Sequence, residues 1–168
     1  MSEVAIKAPD KSAELRAAEE RAAQAKAEWL RALRAIKEEW RQWCPASPDY
    51  DDIEDKMDEV RARIEKAMRP AIRAEADRIL AAGEQIWVAT HEDEYGRILM
   101  DVIPNPLENG AAVFFPPYVD QAHDVSSCRT LEGLAKILYA GEAAARKALE
   151  KYVEWYLEGK WDPEFGCL

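Results

Sequence analysis

Between Ser12 and Trp43 the chain contains neither glycine nor proline, and this uninterrupted stretch constrains the fold more than any short motif. Leu15, Ala18, Ala22, Ala25, Trp29, Leu33, Ile36, Trp40 and Trp43 recur at steps of three and four, the period of an amphipathic helix. Asp10 or Ser12 supplies an N-cap, and at 1.5 Å per residue the helix is roughly 50 Å long. Cys44-Pro45-Ala46-Ser47-Pro48 ends it, because the residue before each proline is pushed out of helical geometry. A second helix restarts at Ser47 or Asp49 and carries Ile53, Met57, Val60, Ile64 and Ala67 up to a stop at Gly83. So short a connection predicts an antiparallel, coiled-coil-like hairpin that pairs Trp40 with Ile53, Ile36 with Met57, Leu33 with Val60 and Trp29 with Ile64. Pro70 removes one backbone hydrogen bond from the second helix, which predicts a kink near Met68.

From Gln85 the period changes. Short β-branched or aromatic runs at 86–90, 98–103 and 112–115 are separated by turn residues. A hairpin loop at Glu92-Asp93-Glu94-Tyr95-Gly96 and a longer link from Pro104 to Gly110 give a three-stranded antiparallel meander. Thr130 then caps a last helix that reaches about Glu158, with a stripe of Leu131, Leu134, Leu138, Gly141, Ala145, Ala148, Tyr152 and Trp155 in which Gly141 allows close approach of another backbone. The fold class expected is therefore α+β: a long helical hairpin over 11–83 after a flexible 1–10, and a body over 84–168 in which the C-terminal helix packs on the sheet. A chain of 168 residues, 48% of them hydrophobic, suits one cooperative domain.

Charge narrows the function. With 23 basic and 33 acidic side chains the net charge is −10, the wrong sign for a surface that neutralises phosphates, so direct nucleic-acid binding is not expected. No apolar run approaches the roughly 20 residues that span a bilayer, and residues 1 to 12 show neither a basic cluster nor the apolar core of a secretory signal. Cys44, Cys128 and Cys167 are odd in number and widely spaced, which argues against a disulfide framework and fits the cytoplasm. No phosphate-binding loop, dinucleotide fingerprint or short-range metal-ligand pair occurs, so no cofactor and no metal are expected.

The acids are regional. Residues 84 to 130 hold eight carboxylates against Arg97 and Arg129 only, and a second cluster, Asp49, Asp51, Asp52, Glu54, Asp55, Asp58 and Glu59, fills the first turns of the second helix. Two or three of the latter suffice to complement a helix N-terminus. The surplus, with Glu92, Asp93 and Glu94, is the expected contact for a basic protein surface, such as one that ordinarily meets nucleic acid. Trp43 at the hairpin tip is the expected apolar anchor. The reading is thus a non-enzymatic inhibitor or regulatory adaptor whose partner-binding residues are Glu92, Asp93, Glu94, Asp51, Asp52, Asp55 and Trp43.

Two other classes stay open. A self-assembling subunit, at least a homodimer, follows if Ala18, Ala22 and Ala25 leave an apolar stripe that one thin helix covers poorly. A small hydrolase or transferase follows if Asp120, His123, Asp124, Ser126, Ser127 and Cys128, in a loop over 116–129, assemble a nucleophile, base and orienter. A zinc site from His91, His123, Cys128 and a carboxylate is chemically allowed.

Overall fold

The computed structural model describes residues 11–43, 49–103 and 124–161. Its backbone divides into two compact units, Met1–Ala81 and Ala82–Leu168.

The first unit is the helical hairpin. Helix α1 spans Lys11–Trp43 and helix α2 spans Tyr50–Ala82. Asp49 begins α2: its carbonyl accepts the first intrahelical bond from the Ile53 N–H at 3.2 Å, and its side chain accepts from the Asp51 N–H at 3.3 Å, a donor that the helix cannot pair internally. The α1 stripe is buried at Ala18, Ala22, Trp29, Leu33 and Ile36. Helix α2 continues unbroken through Pro70, and its buried residues run past it without interruption, Val60, Ile64 and Met68 before it and Ala71, Ile72, Ala76 and Ile79 after it. Across the hairpin, Arg63 donates to both oxygens of Glu39 at 2.6 and 3.2 Å. The alanine stripe is largely covered within the single chain, with Ala18 and Ala22 buried and Ala25 half-buried.

The second unit opens at Gly83, whose φ of +60° is the left-handed conformation that stops α2; the Arg129 guanidinium donates to its carbonyl at 2.8 Å. Strands β1 (Ile86–Glu92), β2 (Ile98–Ile103) and β3 (Asp124–Cys128) form an antiparallel sheet in the order β2-β1-β3. The three-stranded antiparallel sheet of the α+β expectation is present, with a different third member: residues 124–128, read above as loop, pair with β1, and the expected strand at 112–115 lies outside the described residues. Strand β1 is therefore central, where a meander would centre β2. Val88 and Ala89, on opposite faces, are both buried.

The C-terminal helix is two helices. Helix α3 spans Leu131–Ile137 and helix α4 spans Glu142–Trp161. Thr130 is the N-cap of α3, accepting from the Gly133 N–H at 3.0 Å. The break follows from a paired C-cap: Ala140 N–H donates to the Ala135 carbonyl and Tyr139 N–H to the Lys136 carbonyl, the two bonds of a Schellman motif, with Tyr139 at φ +51° where glycine is usual. Gly141 is exposed with nothing near its missing Cβ, so it is not the close-approach site; Gly133 is, since a Cβ there would lie 3.1 Å from the Cys128 Cβ. Ala145, Leu149 and Val153 make the buried face of α4, which packs beside β2, while α3 packs beside β3.

Candidate binding site

The β1–β2 connection is built around Asp93. Gly96 N–H donates to the Asp93 carbonyl at 3.0 Å and Asp93 N–H to the Arg97 carbonyl at 2.9 Å, and Gly96 takes φ +74°. This is a tight turn followed by a left-handed residue, the geometry of a bulged hairpin. The Asp93 carboxylate accepts from Tyr95 N–H (2.9 Å), Arg97 N–H (2.8 Å) and Arg97 Nε (2.7 Å). Its partial burial works against ionisation, but the Arg97 amide and guanidinium and the Tyr95 amide outweigh it and hold the carboxyl below the usual aspartate range. Asp93 is only 14% exposed and Arg97 69%. The charge of Asp93 is thus spent inside the turn, and Glu92 and Glu94 are its exposed carboxylates.

Beside this turn, one flank of α4 and the β2 residues enclose a groove of about 490 Å³. Tyr95 (75% exposed), Leu99 and Trp155 (42% exposed) line it together with Tyr152 and Lys151. The Arg97 guanidinium lies over the Tyr95 ring, 5.3 Å from its centroid. Deeper in, His91 is 5% exposed and its Nε2 sits 3.4 Å from Asp101 Oδ2. Leu99 is paired directly with His91, so Asp101, two residues on, is the diagonal neighbour on the same face of the sheet.

The expected contact residues fall in both units. Glu92, Asp93 and Glu94 share the β1–β2 turn, whereas Asp51, Asp52 and Asp55 are exposed on the first turns of α2. Trp43 is half-buried and lies against Trp40, ring centroids 5.5 Å apart and planes tilted by 36°. Tyr95 and Trp155 were not in the expected set. Trp155 was assigned to a core stripe drawn across one continuous helix. The buried row of α4 runs from Ala145 in steps of four to Leu149 and Val153, and this leaves Ala148, Tyr152 and Trp155 to line the groove.

The residues of the hydrolytic alternative divide differently. Asp124, Ser126, Ser127 and Cys128 belong to β3, while Asp120 and His123 lie outside the described residues. Cys128 pairs with Ile86 and therefore faces the opposite side of the sheet from His91, so the two cannot share one zinc ion. Among the described residues no three His, Cys, Asp or Glu side chains are placed to hold a metal. Burial raises the Cys128 thiol, against a smaller lowering by the Thr130 amide, which keeps it protonated and weakly nucleophilic at neutral pH. Among the described residues no helix is long and apolar enough to cross a membrane. Comparison of the chain with protein-family models, with curated proteins and with solved structures gives no match.

Proposed function

We propose that this chain is a non-catalytic binding protein whose groove between the β1–β2 turn and α4 engages a basic surface of a partner protein, in the manner of an inhibitor or adaptor. The observation that carries the reading is the exposure of Tyr95 and Trp155 on a groove whose lining includes the exposed carboxylate of Glu94, with Glu92 exposed at the end of β1 beside the same turn. Exposed Tyr and Trp bring large contact area at small entropic cost and recur at the energetic centre of protein interfaces. Rim carboxylates steer a cationic partner toward them. A surface that ordinarily holds phosphate is rich in arginine and lysine and has the required chemistry.

The test is fluorescence anisotropy of a labelled arginine-rich peptide against the full chain at low and high salt, with a glutamate-rich peptide as control. The basic peptide is expected to bind, to bind more weakly as salt rises, and to lose most of that salt dependence in the Glu92→Lys/Glu94→Lys variant. Equal binding of the acidic peptide, or an unchanged response in the variant, contradicts the proposal.

A further inference from the structure

The ionic groups of the groove are largely spent on one another, and what they leave over identifies an occupant. Asp93 holds Arg97, whose guanidinium also lies over Tyr95. One carboxylate and one aromatic face thus already close on a guanidinium supplied by the chain itself. Asp101 faces His91 with one oxygen yet stays 56% exposed. On the remaining wall Trp155 presents an exposed indole, and Glu94 is exposed at the mouth.

We propose that an arginine side chain of the basic partner seats its guanidinium in this groove against the Trp155 indole, with Glu94 and Asp101 as counter-charges. The inference rests on the function proposed above and names the side chain that the groove receives. Tryptophan offers the strongest aromatic face for a cation. Guanidinium is favoured over ammonium because it is planar, stacks on rings and surrenders its hydration more cheaply. Lys151, one helical turn before Trp155 on the same wall, opposes the arriving charge. Its presence gives the proposal a sign that an anionic ligand would reverse: removing the Lys151 charge strengthens binding of a cation and weakens binding of an anion.

The experiment is a titration of the ¹⁵N-labelled full chain with N-acetyl-arginine methylamide, and separately with N-acetyl-glutamate methylamide, followed by amide and indole resonances. The arginine probe is expected to shift the Trp155 indole N–H and the Glu94 and Asp101 amides saturably. Trp155→Leu should weaken it about two- to five-fold, Trp155→Tyr should recover part of the loss, and Lys151→Gln should tighten it. An otherwise superimposable spectrum verifies that each variant is folded. Absence of these shifts, equal shifts from the glutamate probe, or unaltered affinity in Trp155→Leu overturns the proposal. Arginine shifts that cluster at Asp51, Asp52 and Asp55 instead would remove the groove as the arginine site while leaving recognition of a basic partner standing. Arginine shifts at Trp155, combined with peptide binding that ignores reversal of Glu92 and Glu94, would retain this site and remove the steering role assigned to those carboxylates.

Discussion

The α1–α2 hairpin and the β1–β2 turn use charge in opposite ways. In the hairpin, ion pairs such as Arg41–Glu38 and Arg61–Asp58 join exposed neighbours along one helix, where screening and side-chain entropy leave little net stabilisation. The helices are held instead by their buried rows, and most exposed positions can change freely. In the turn, a single carboxylate, Asp93, receives two backbone amides and one guanidinium, and a single glycine supplies the left-handed residue. Periodic structure spreads its determinants over many replaceable positions. A turn concentrates them in two or three. Any acid in the turn that makes none of those bonds is therefore free for another use, and here these are Glu92 and Glu94.

The largest effect expected on this contrast comes from Val60→Asp, which buries an unpaired carboxylate in the hairpin at a cost of several kcal/mol. Circular dichroism should show the α2 signal lost or its melting far below that of the parent, and a melt within a few degrees of the parent would mean that Val60 is not seam. Asp93→Ala comes next. It should lower the thermal midpoint less than Val60→Asp does, and Asp93→Asn should recover part of the loss through the amides that an amide oxygen still accepts. The pH dependence has a definite sign. A carboxyl whose folded pKa lies below its unfolded value contributes stability that is complete above the unfolded value and is lost as pH falls through the folded one. For Asp93 the loss therefore falls below its ordinary value of 3.8, and acid titration of the Tyr95 and Arg97 amide resonances should report it there.

Tyr139→Gly should act in the other direction. The left-handed backbone of Tyr139 penalises any side chain, and the ring is 89% exposed, so it returns no packing. Glycine should stabilise by about 1 kcal/mol, a rise in the thermal midpoint of roughly 2 to 4 °C for a chain of this size. No rise would mean that the Tyr139 ring makes a contact that outweighs the strain. The smallest effect belongs to Arg63→Ala. Its hydrogen bonds and positive charge hold Glu39 below the usual glutamate range, so the variant should return Glu39 toward 4.5 in a carboxyl NMR titration while barely moving the melt, because the pair is exposed.

How legible each part was in the sequence follows the same division. The hairpin was readable because its rows of Trp29, Leu33, Ile36 and of Val60, Ile64 repeat one rule, and its ends carry an aspartate cap and a glycine stop. The first β-hairpin was readable because two strands and a glycine turn are contiguous between Ile86 and Ile103. Strand β3 was not, since Asp-Val-Ser-Ser-Cys has no apolar alternation. Its first four side chains are exposed, and it is a strand through its ladder with β1 and bonds such as Gln85 Nε2 to Ser127 Oγ at 2.9 Å. The division between α3 and α4 was hidden because Leu138-Tyr139-Ala140 suits a helix, and only backbone bonds reveal Tyr139 in a glycine's conformation. Beyond the break Ala145 is buried as expected, but the row then steps by four to Leu149 and Val153, where a three-residue step to Ala148 places Trp155 in the core. The groove was therefore half legible: its acidic turn could be named from composition, but its aromatic wall depended on a helix phase that no local pattern announces.

Under the proposed function the acids of the β1–β2 turn, and not those at the start of α2, meet the partner. Stopped-flow association of an arginine-rich peptide at low salt compares two reversals most directly: Glu92→Lys/Glu94→Lys, with Asp93 retained because it builds the turn, and Asp51→Lys/Asp52→Lys/Asp55→Lys. Rim charges act mainly on association rates, and their reach at physiological salt is a Debye length of roughly 8 Å. The turn variant is expected to slow association markedly and to flatten its dependence on salt, and the α2 variant to change both only slightly although it reverses more charges. The opposite ranking would contradict this expectation and move the contact to the hairpin.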